Sequence, residues 1–150
     1  MPHAVPPGAG AMAALIMTGV ADSDASGPIR AAGAEVVNHN SPDQVVIGGS
    51  TESVERAGAA LEEALPDLTF VRLRGSAPFH STPMGARERF GEPLARCAGR
   101  LRPERAAQVT SNYTGGFHDP DTLLEHLRGQ VAGPVRWTDK NAGAACPRRP

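Results

Sequence analysis

His80 is the residue of this 150-residue chain whose type and position best suit chemistry. It lies in the segment GSAPFHSTPM, residues 75–84, between a predicted strand and a predicted helix, and such junctions commonly carry catalytic side chains. Histidine exchanges a proton near neutral pH, so it can act as a general base. A base needs a group to deprotonate, and the serine-presenting pattern Gly-x-Ser-x-Gly does not occur in the 150 residues. The chain therefore offers a base without an evident nucleophile.

Other combinations of reactive residues indicate less. Cys97 and Cys146 form neither a CxxC pair nor a disulfide framework, so we expect both to be reduced bystanders. His118 and His126, with Asp119 nearby, resemble a metal site only in outline, because no cysteine or third histidine stands at ligand spacing. We therefore expect no metal and no cofactor.

Composition indicates a single soluble domain that is rich in loops. Gly 17 and Pro 14 accompany only 4% aromatic residues, so the core is expected to be weakly anchored. No window approaches the ~18 apolar residues of a membrane span, and the N-terminus does not resemble a signal peptide. We expect a cytoplasmic protein that contacts neither membrane nor nucleic acid, since no nucleic-acid recognition motif is present.

The order of predicted elements is informative about the fold. Apolar and alternating runs predict strands at residues 10–20, 34–38, 44–48 and 68–73. A short helix is predicted within residues 23–33, and a longer one runs from an N-cap at residues 49–51 to Leu65. The β-α-β-β-α-β order over residues 10–73 is that of the ferredoxin-like split β-α-β unit.

The pattern changes after His80. Thr82 and Pro83 predict the start of a helix that Pro103 ends. A strand is predicted at residues 106–112, followed by a helix over about 120–131 that Asp119 caps.

Seven short segments together resemble the C-terminal half of the malonyl-CoA:acyl carrier protein transacylases, the acyltransferases of fatty-acid and polyketide synthesis. They occur in the family's order and spacing and cover residues 1 to about 140. The segments are MPHAVP at 1–6, GAMAAL at 10–15, NHNSPDQVVI at 38–47, TESVERAG at 51–58, SAPFHSTPM at 76–84, QVTSNYT at 108–114 and PVRWT at 134–138.

The resemblance implies an α/β (α+β) fold in two parts. A ferredoxin-like subdomain would occupy residues 9–74. The C-terminal remnant of an α/β-hydrolase-like acyltransferase core would occupy residues 75–140. Residues 141–150 lack periodicity and are expected to form a disordered tail.

The resemblance also assigns roles to individual residues. The family's catalytic serine takes an acyl group from a coenzyme A thioester and passes it to the phosphopantetheine thiol of acyl carrier protein. His80 matches the general base of that serine, and Phe79 matches the substrate-binding form associated with malonyl groups. Arg136 falls where a backbone carbonyl orients the histidine ring. Asn40 and Ser41 belong to the loop that faces the active-site cleft and are predicted to bind substrate.

Three interpretations stay open. The family's nucleophilic serine, its malonyl-binding arginine and its oxyanion-hole residues would lie upstream of the segment that matches Met1. The chain is therefore expected to be a truncated or split form that needs a partner chain supplying the N-terminal half. Alternatively, it is a non-catalytic module that docks an acyl carrier protein, or a partner acyltransferase half, through the basic face at residues 87–105. In the third interpretation it is a degenerate product with an incomplete core.

A folding expectation follows from the missing half. Residues 76–140 would pack in the family against a larger subdomain, so an apolar face that includes Phe90, Leu94 and Leu127 is expected to be exposed.

Overall fold

A computed structural model of the chain describes residues 10–74, 80 and 86–143. Its strands are β1 (Gly10–Ile16), β2 (Glu35–Ser41), β3 (Gln44–Ser50), β4 (Thr69–Arg72) and β5 (Val135–Arg136). Its helices are α1 (Ser26–Ala31), α2 (Thr51–Ala64), α3 (Ala86–Cys97), α4 (Pro103–Ala106), α5 (Leu123–Gly129) and α6 (Trp137–Gly143). The five strands form one sheet in the order β4-β1-β3-β2-β5. The result is a mixed α/β fold.

The first four strands and two helices follow the predicted β-α-β-β-α-β order. β1 pairs antiparallel with β3 and with β4, and β3 pairs antiparallel with β2. Alternate residues of β1 and β3 point to one face, as the period of a strand requires, and there they pack against α1 and α2. Leu15, Ile47 and Leu61 are fully buried in this cluster, so the helix layer and the sheet share one core.

Ser50 is the N-cap of α2, as the sequence predicts. Its hydroxyl accepts a hydrogen bond from the Ser53 backbone N–H at 3.0 Å, which satisfies one of the unpaired donors of the first turn.

We expect Ser50→Ala to lower the free energy of unfolding by about 1 kcal/mol, because that donor loses its partner. Ser50→Asp restores an acceptor at the same position and serves as the matched control. Urea unfolding followed by circular dichroism checks both variants, and equal losses in the two would contradict the capping role.

The strand predicted at residues 34–38 extends further than the sequence indicates. β2 continues through Ser41 with two register shifts, and only Pro42 and Asp43 form the turn. The Asp43 carboxylate accepts from the Gly19 N–H at 2.7 Å, and its carbonyl accepts from the Met17 N–H at 3.1 Å. These contacts come from a distant part of the chain, so local turn propensity could not indicate them.

The C-terminal half joins the same sheet. β5 pairs parallel with β2, and the Thr138 hydroxyl donates to the His39 carbonyl at 3.1 Å. α3 packs against α5, and a Cβ at Gly91 would lie 3.1 Å from Arg128 Nε. Residues 9–74 and 75–140, predicted as two parts, are therefore connected through β2.

Three predictions for this half are wrong. The strand at residues 106–112 is absent from the described structure, where α4 ends at Ala106 and an isolated bridge joins Thr110 to Phe117. The later helix begins at Leu123 with Thr122 at its N-cap, while the Asp119 carboxylate accepts from the Asp121 N–H. Residues 141–143 continue α6 instead of starting a disordered tail; residues 144–150 lie outside the described residues.

The apolar face also differs from the one expected. Leu94 is buried, with 8% of its surface exposed, and Phe90 and Leu127 are half-buried. These side chains are covered because α3 and α5 pack against one another. Among the described residues of this half, the large apolar side chains that are exposed are instead Val109, Phe117, Leu124 and Trp137. In the described parts of the chain, none of the helices combines the length and apolar character needed to span a bilayer.

Candidate active site around His80

His80 has an unusual backbone conformation, and its side chain has a hydrogen-bond partner among the described residues. Its φ of 60° lies in the left-handed region, which residues other than glycine seldom adopt. Its Nδ1 lies 2.9 Å from the backbone carbonyl oxygen of Gln130. A carbonyl only accepts, so Nδ1 carries a proton, and in the neutral ring the lone pair is therefore on Nε2. The half-buried imidazole is thus held in the tautomer that a general base requires.

The carbonyl that holds His80 belongs to the end of α5. The Gln130 N–H continues the helix by donating to the His126 carbonyl at 3.0 Å. The last carbonyls of a helix have no intrahelical partner, so the Gln130 oxygen is available to a side chain. His80 therefore uses a main-chain acceptor whose direction is set by α5.

The prediction that the Arg136 carbonyl orients His80 is wrong. Arg136 lies in β5, where its N–H donates to the Asn112 carbonyl at 2.8 Å and its side chain pairs with Asp139 at 3.6 Å. The carbonyl bonded to the His80 ring is that of Gln130. Any residue type can supply a main-chain oxygen, so no side-chain pattern in the sequence distinguishes the two positions.

Asn40 and Ser41, which are also predicted to bind substrate, form hydrogen bonds within their own part of the chain. The Asn40 amide donates to the Gln44 side chain at 3.2 Å, and the Ser41 hydroxyl accepts from the Asp43 N–H at 3.2 Å. Both bonds close the turn between β2 and β3. Phe79 lies outside the described residues.

The hydroxyl groups of Ser50 and Ser111 have structural partners, which bears on a substitute nucleophile. Ser50 caps α2. Ser111 is fully buried, and its hydroxyl accepts from the backbone N–H groups of Tyr113 and Thr114. Ser76 lies outside the described residues.

A cleft of about 410 Å³ opens between the end of β2 and α6. Sequence reasoning did not identify it, because its walls come from three separated parts of the chain. Its lining residues are Ala21, Asp22, His39, Pro42, Arg136, Thr138 and Asp139.

His118 lies close to His126, which is part of α5. His118 is only 8% exposed, its Nδ1 is buried without a hydrogen-bond partner, and its ring centroid lies 6.5 Å from that of His126. Burial, and next the neighbouring His126, lower the pKa of His118 below its ordinary value of 6.5. Among the described residues, no group of three potential metal ligands is found.

Acidification is therefore expected to destabilise the fold through His118. Because the pKa of His118 is lower in the folded state, the unfolded chain binds more protons than the folded chain once the pH falls below 6.5. The stability that depends on a neutral His118 ring is therefore fully present above that pH and is lost below it. The wild type should lose more unfolding free energy between neutral pH and mild acid than His118→Gln does. Urea titrations at a series of pH values measure this, and parallel pH profiles would contradict it.

Comparison with solved structures defines the class of protein. The malonyl-CoA:acyl carrier protein transacylase of Xanthomonas oryzae superimposes with a TM-score of 0.79 at 32% identity, covering 96% of this chain and 46% of that one. A malonyl-transacylase solved in complex with a type II polyketide acyl-carrier protein superimposes with a TM-score of 0.74 at 28% identity, covering 91% of this chain and 44% of that one. The chain thus shares the fold of the corresponding part of these two malonyl-transferring proteins.

Curated sequences agree with the structural comparison. The malonyl CoA-acyl carrier protein transacylase of Escherichia coli K12 is 37% identical in an alignment of 146 positions that covers 92% of this chain and 45% of that protein. Comparison with models of known protein families finds no match. The chain is a relative of the malonyl CoA-acyl carrier protein transacylases and corresponds to their C-terminal portion. It spans a little under half the length of the relatives it matches.

Proposed function

We propose that the chain supplies the base-bearing half of a malonyl-CoA:acyl carrier protein transacylase site. The observation that carries this proposal is the hydrogen bond between His80 Nδ1 and the Gln130 carbonyl. It leaves Nε2 free to accept a proton from a serine that lies outside these 150 residues. The absence of Gly-x-Ser-x-Gly from the sequence supports an external serine.

The proposed reaction has two acyl transfers. The serine oxygen attacks the thioester carbon of malonyl-CoA as His80 Nε2 takes the hydroxyl proton. The carbon–sulfur bond then breaks, and the coenzyme A thiol leaves with that proton. In the second transfer the phosphopantetheine thiol of acyl carrier protein gives its proton to His80 and attacks the malonyl ester. The serine recovers its proton when the ester bond breaks.

The finer architecture belongs to the same proposal. The order β4-β1-β3-β2 with two helices on one face supports a ferredoxin-like subdomain at residues 9–74. Residues 75–140 would be the C-terminal part of the acyltransferase core. Phe79 would crowd an α-methyl group and favour malonyl over methylmalonyl by about 1–3 kcal/mol. Asn40 and Ser41 would bind substrate from the end of β2.

Reconstitution tests the proposal. The full chain is co-expressed with the N-terminal portion of the Escherichia coli relative, and malonyl transfer from malonyl-CoA to holo acyl carrier protein is followed by intact-mass spectrometry. We expect transfer by the assembly and no malonyl adduct on the chain alone. An adduct on the chain alone would show that a serine within the 150 residues is the nucleophile, and a correctly associated but inactive assembly would contradict the proposal.

A second candidate function is the docking of an acidic carrier protein without catalysis. The arginines after α3 favour it, because Arg100, Arg102 and Arg105 are all exposed. The solved complex of a relative with its acyl-carrier protein is consistent with such docking. Binding should weaken steeply with added salt. Arg102→Glu combined with Arg105→Glu should then reduce carrier binding, measured by isothermal calorimetry, whereas equal affinity in wild type and variant would exclude this surface.

A further inference from the structure

The ring of Tyr113 fills a slot made by two glycines on either side of Gln130. A Cβ added to Gly129 would lie 2.7 Å from Tyr113 Cζ, and one added to Gly133 would lie 2.5 Å from Tyr113 Cε2. Real Cβ contacts are not this short, so both positions need glycine while the ring stays in place. The missing side chains at Gly129 and Gly133 therefore allow the Tyr113 ring to lie directly against the backbone.

The same ring contacts the preceding turn of α5. Its centroid lies 5.9 Å from that of His126, and the His126 carbonyl accepts the Gln130 N–H. Tyr113 thus touches the helix one turn before Gln130, the residue just before it and the chain just after it. Its own backbone is fixed by a bond from its N–H to the buried Ser111 hydroxyl at 3.2 Å.

We infer that Tyr113 is a positioning residue, which fixes the Gln130 carbonyl and through it the tautomer and direction of the His80 ring. The physical reason is geometric. Gln130 follows the last residue of the seven-residue helix α5, and helix ends fray unless tertiary contacts hold them. The Tyr113 ring provides those contacts on both sides of the carbonyl. The catalytic importance of this arrangement rests on the proposed function, whereas its effect on the His80 tautomer does not.

The test reads the tautomer directly. Two-bond ¹⁵N–¹H correlations of the full chain, with the His80 signals assigned by their loss in His80→Gln, report which ring nitrogen carries the proton. We expect the Nδ1–H tautomer in wild type and in Tyr113→Phe, which keeps the ring. Gly133→Ala and Tyr113→Ala should each shift His80 toward a mixture of tautomers. Gly99→Ala is the matched control, because a Cβ there meets nothing within 4 Å.

A double substitution separates positioning from general damage. If the Gly133 methyl acts only by displacing the ring, adding Gly133→Ala to Tyr113→Ala should change the tautomer no further. In the reconstituted assembly both single variants should lower kcat by about tenfold or more with little change in KM, because misplacement by a fraction of an ångström weakens only the chemical step.

Two outcomes overturn the inference. One is a wild-type His80 protonated on Nε2. The other is that Gly133→Ala, Gly129→Ala and Tyr113→Ala all melt at a lower temperature than the wild type and yet show the same His80 tautomer as Gly99→Ala. The Tyr113 ring would then contribute only to packing. Tautomer shifts in these variants combined with an inactive wild-type assembly would instead contradict the proposed function and leave the positioning role standing.

Discussion

Replacing His80 with alanine is expected to lower malonyl transfer by the reconstituted assembly by about 10²–10⁴-fold, the usual contribution of a general base. The loss should appear mainly in kcat, because the imidazole acts on the proton of the nucleophile and not on substrate binding. The measurement is single-turnover transfer to carrier protein under saturating malonyl-CoA. The Nδ1 bond to Gln130 is the structural reason for expecting so large an effect.

His39→Ala is the control for that experiment. His39 is also half-buried, but it lies in β2, where its backbone carbonyl accepts from Thr138. A His80→Ala rate within twofold of the His39→Ala rate would be incompatible with His80 as the base.

Leu61→Ala is expected to cost about 2–5 kcal/mol of unfolding free energy. Leu61 is fully buried between α2 and the sheet, in the same cluster as Leu15 and Ile47. The truncation leaves a cavity that the surrounding strands cannot close without breaking their pairing. Denaturant unfolding of the full chain gives the value directly.

Leu124→Ala provides the comparison for the core. Leu124 is 41% exposed on α5, so the same chemical change there should cost about 0.5 kcal/mol or less. Equal losses at both positions would mean that α2 does not cover the sheet as described.

The N-terminal fold was predictable because its signals are local. The apolar runs of β1 and β3, the Ser50 cap and the Pro66 that follows α2 each indicate an element within a few residues. The short β5 has no comparable signal. Two residues cannot show a period, and its place in the sheet depends on pairing with β2.

The candidate site was predictable only in part. His80 was found because a histidine side chain is visible in a sequence. The Gln130 carbonyl was missed, and Arg136 was predicted in its place, because a main-chain oxygen has no signature of residue type. Its identity depends on where α5 ends, and helix ends are among the least predictable features of a chain.

The pairing of β5 with β2 has a consequence for how the chain is made. During synthesis β2 and β3 leave the ribosome before β5. The outer edge of β2 stays unpaired until β5 follows roughly 90 residues later, a delay of about 5–20 s at ordinary elongation rates. During that interval the edge presents unpaired backbone groups that a second nascent chain can pair with. Pairing of that edge with another chain would then lower the yield of correctly folded protein.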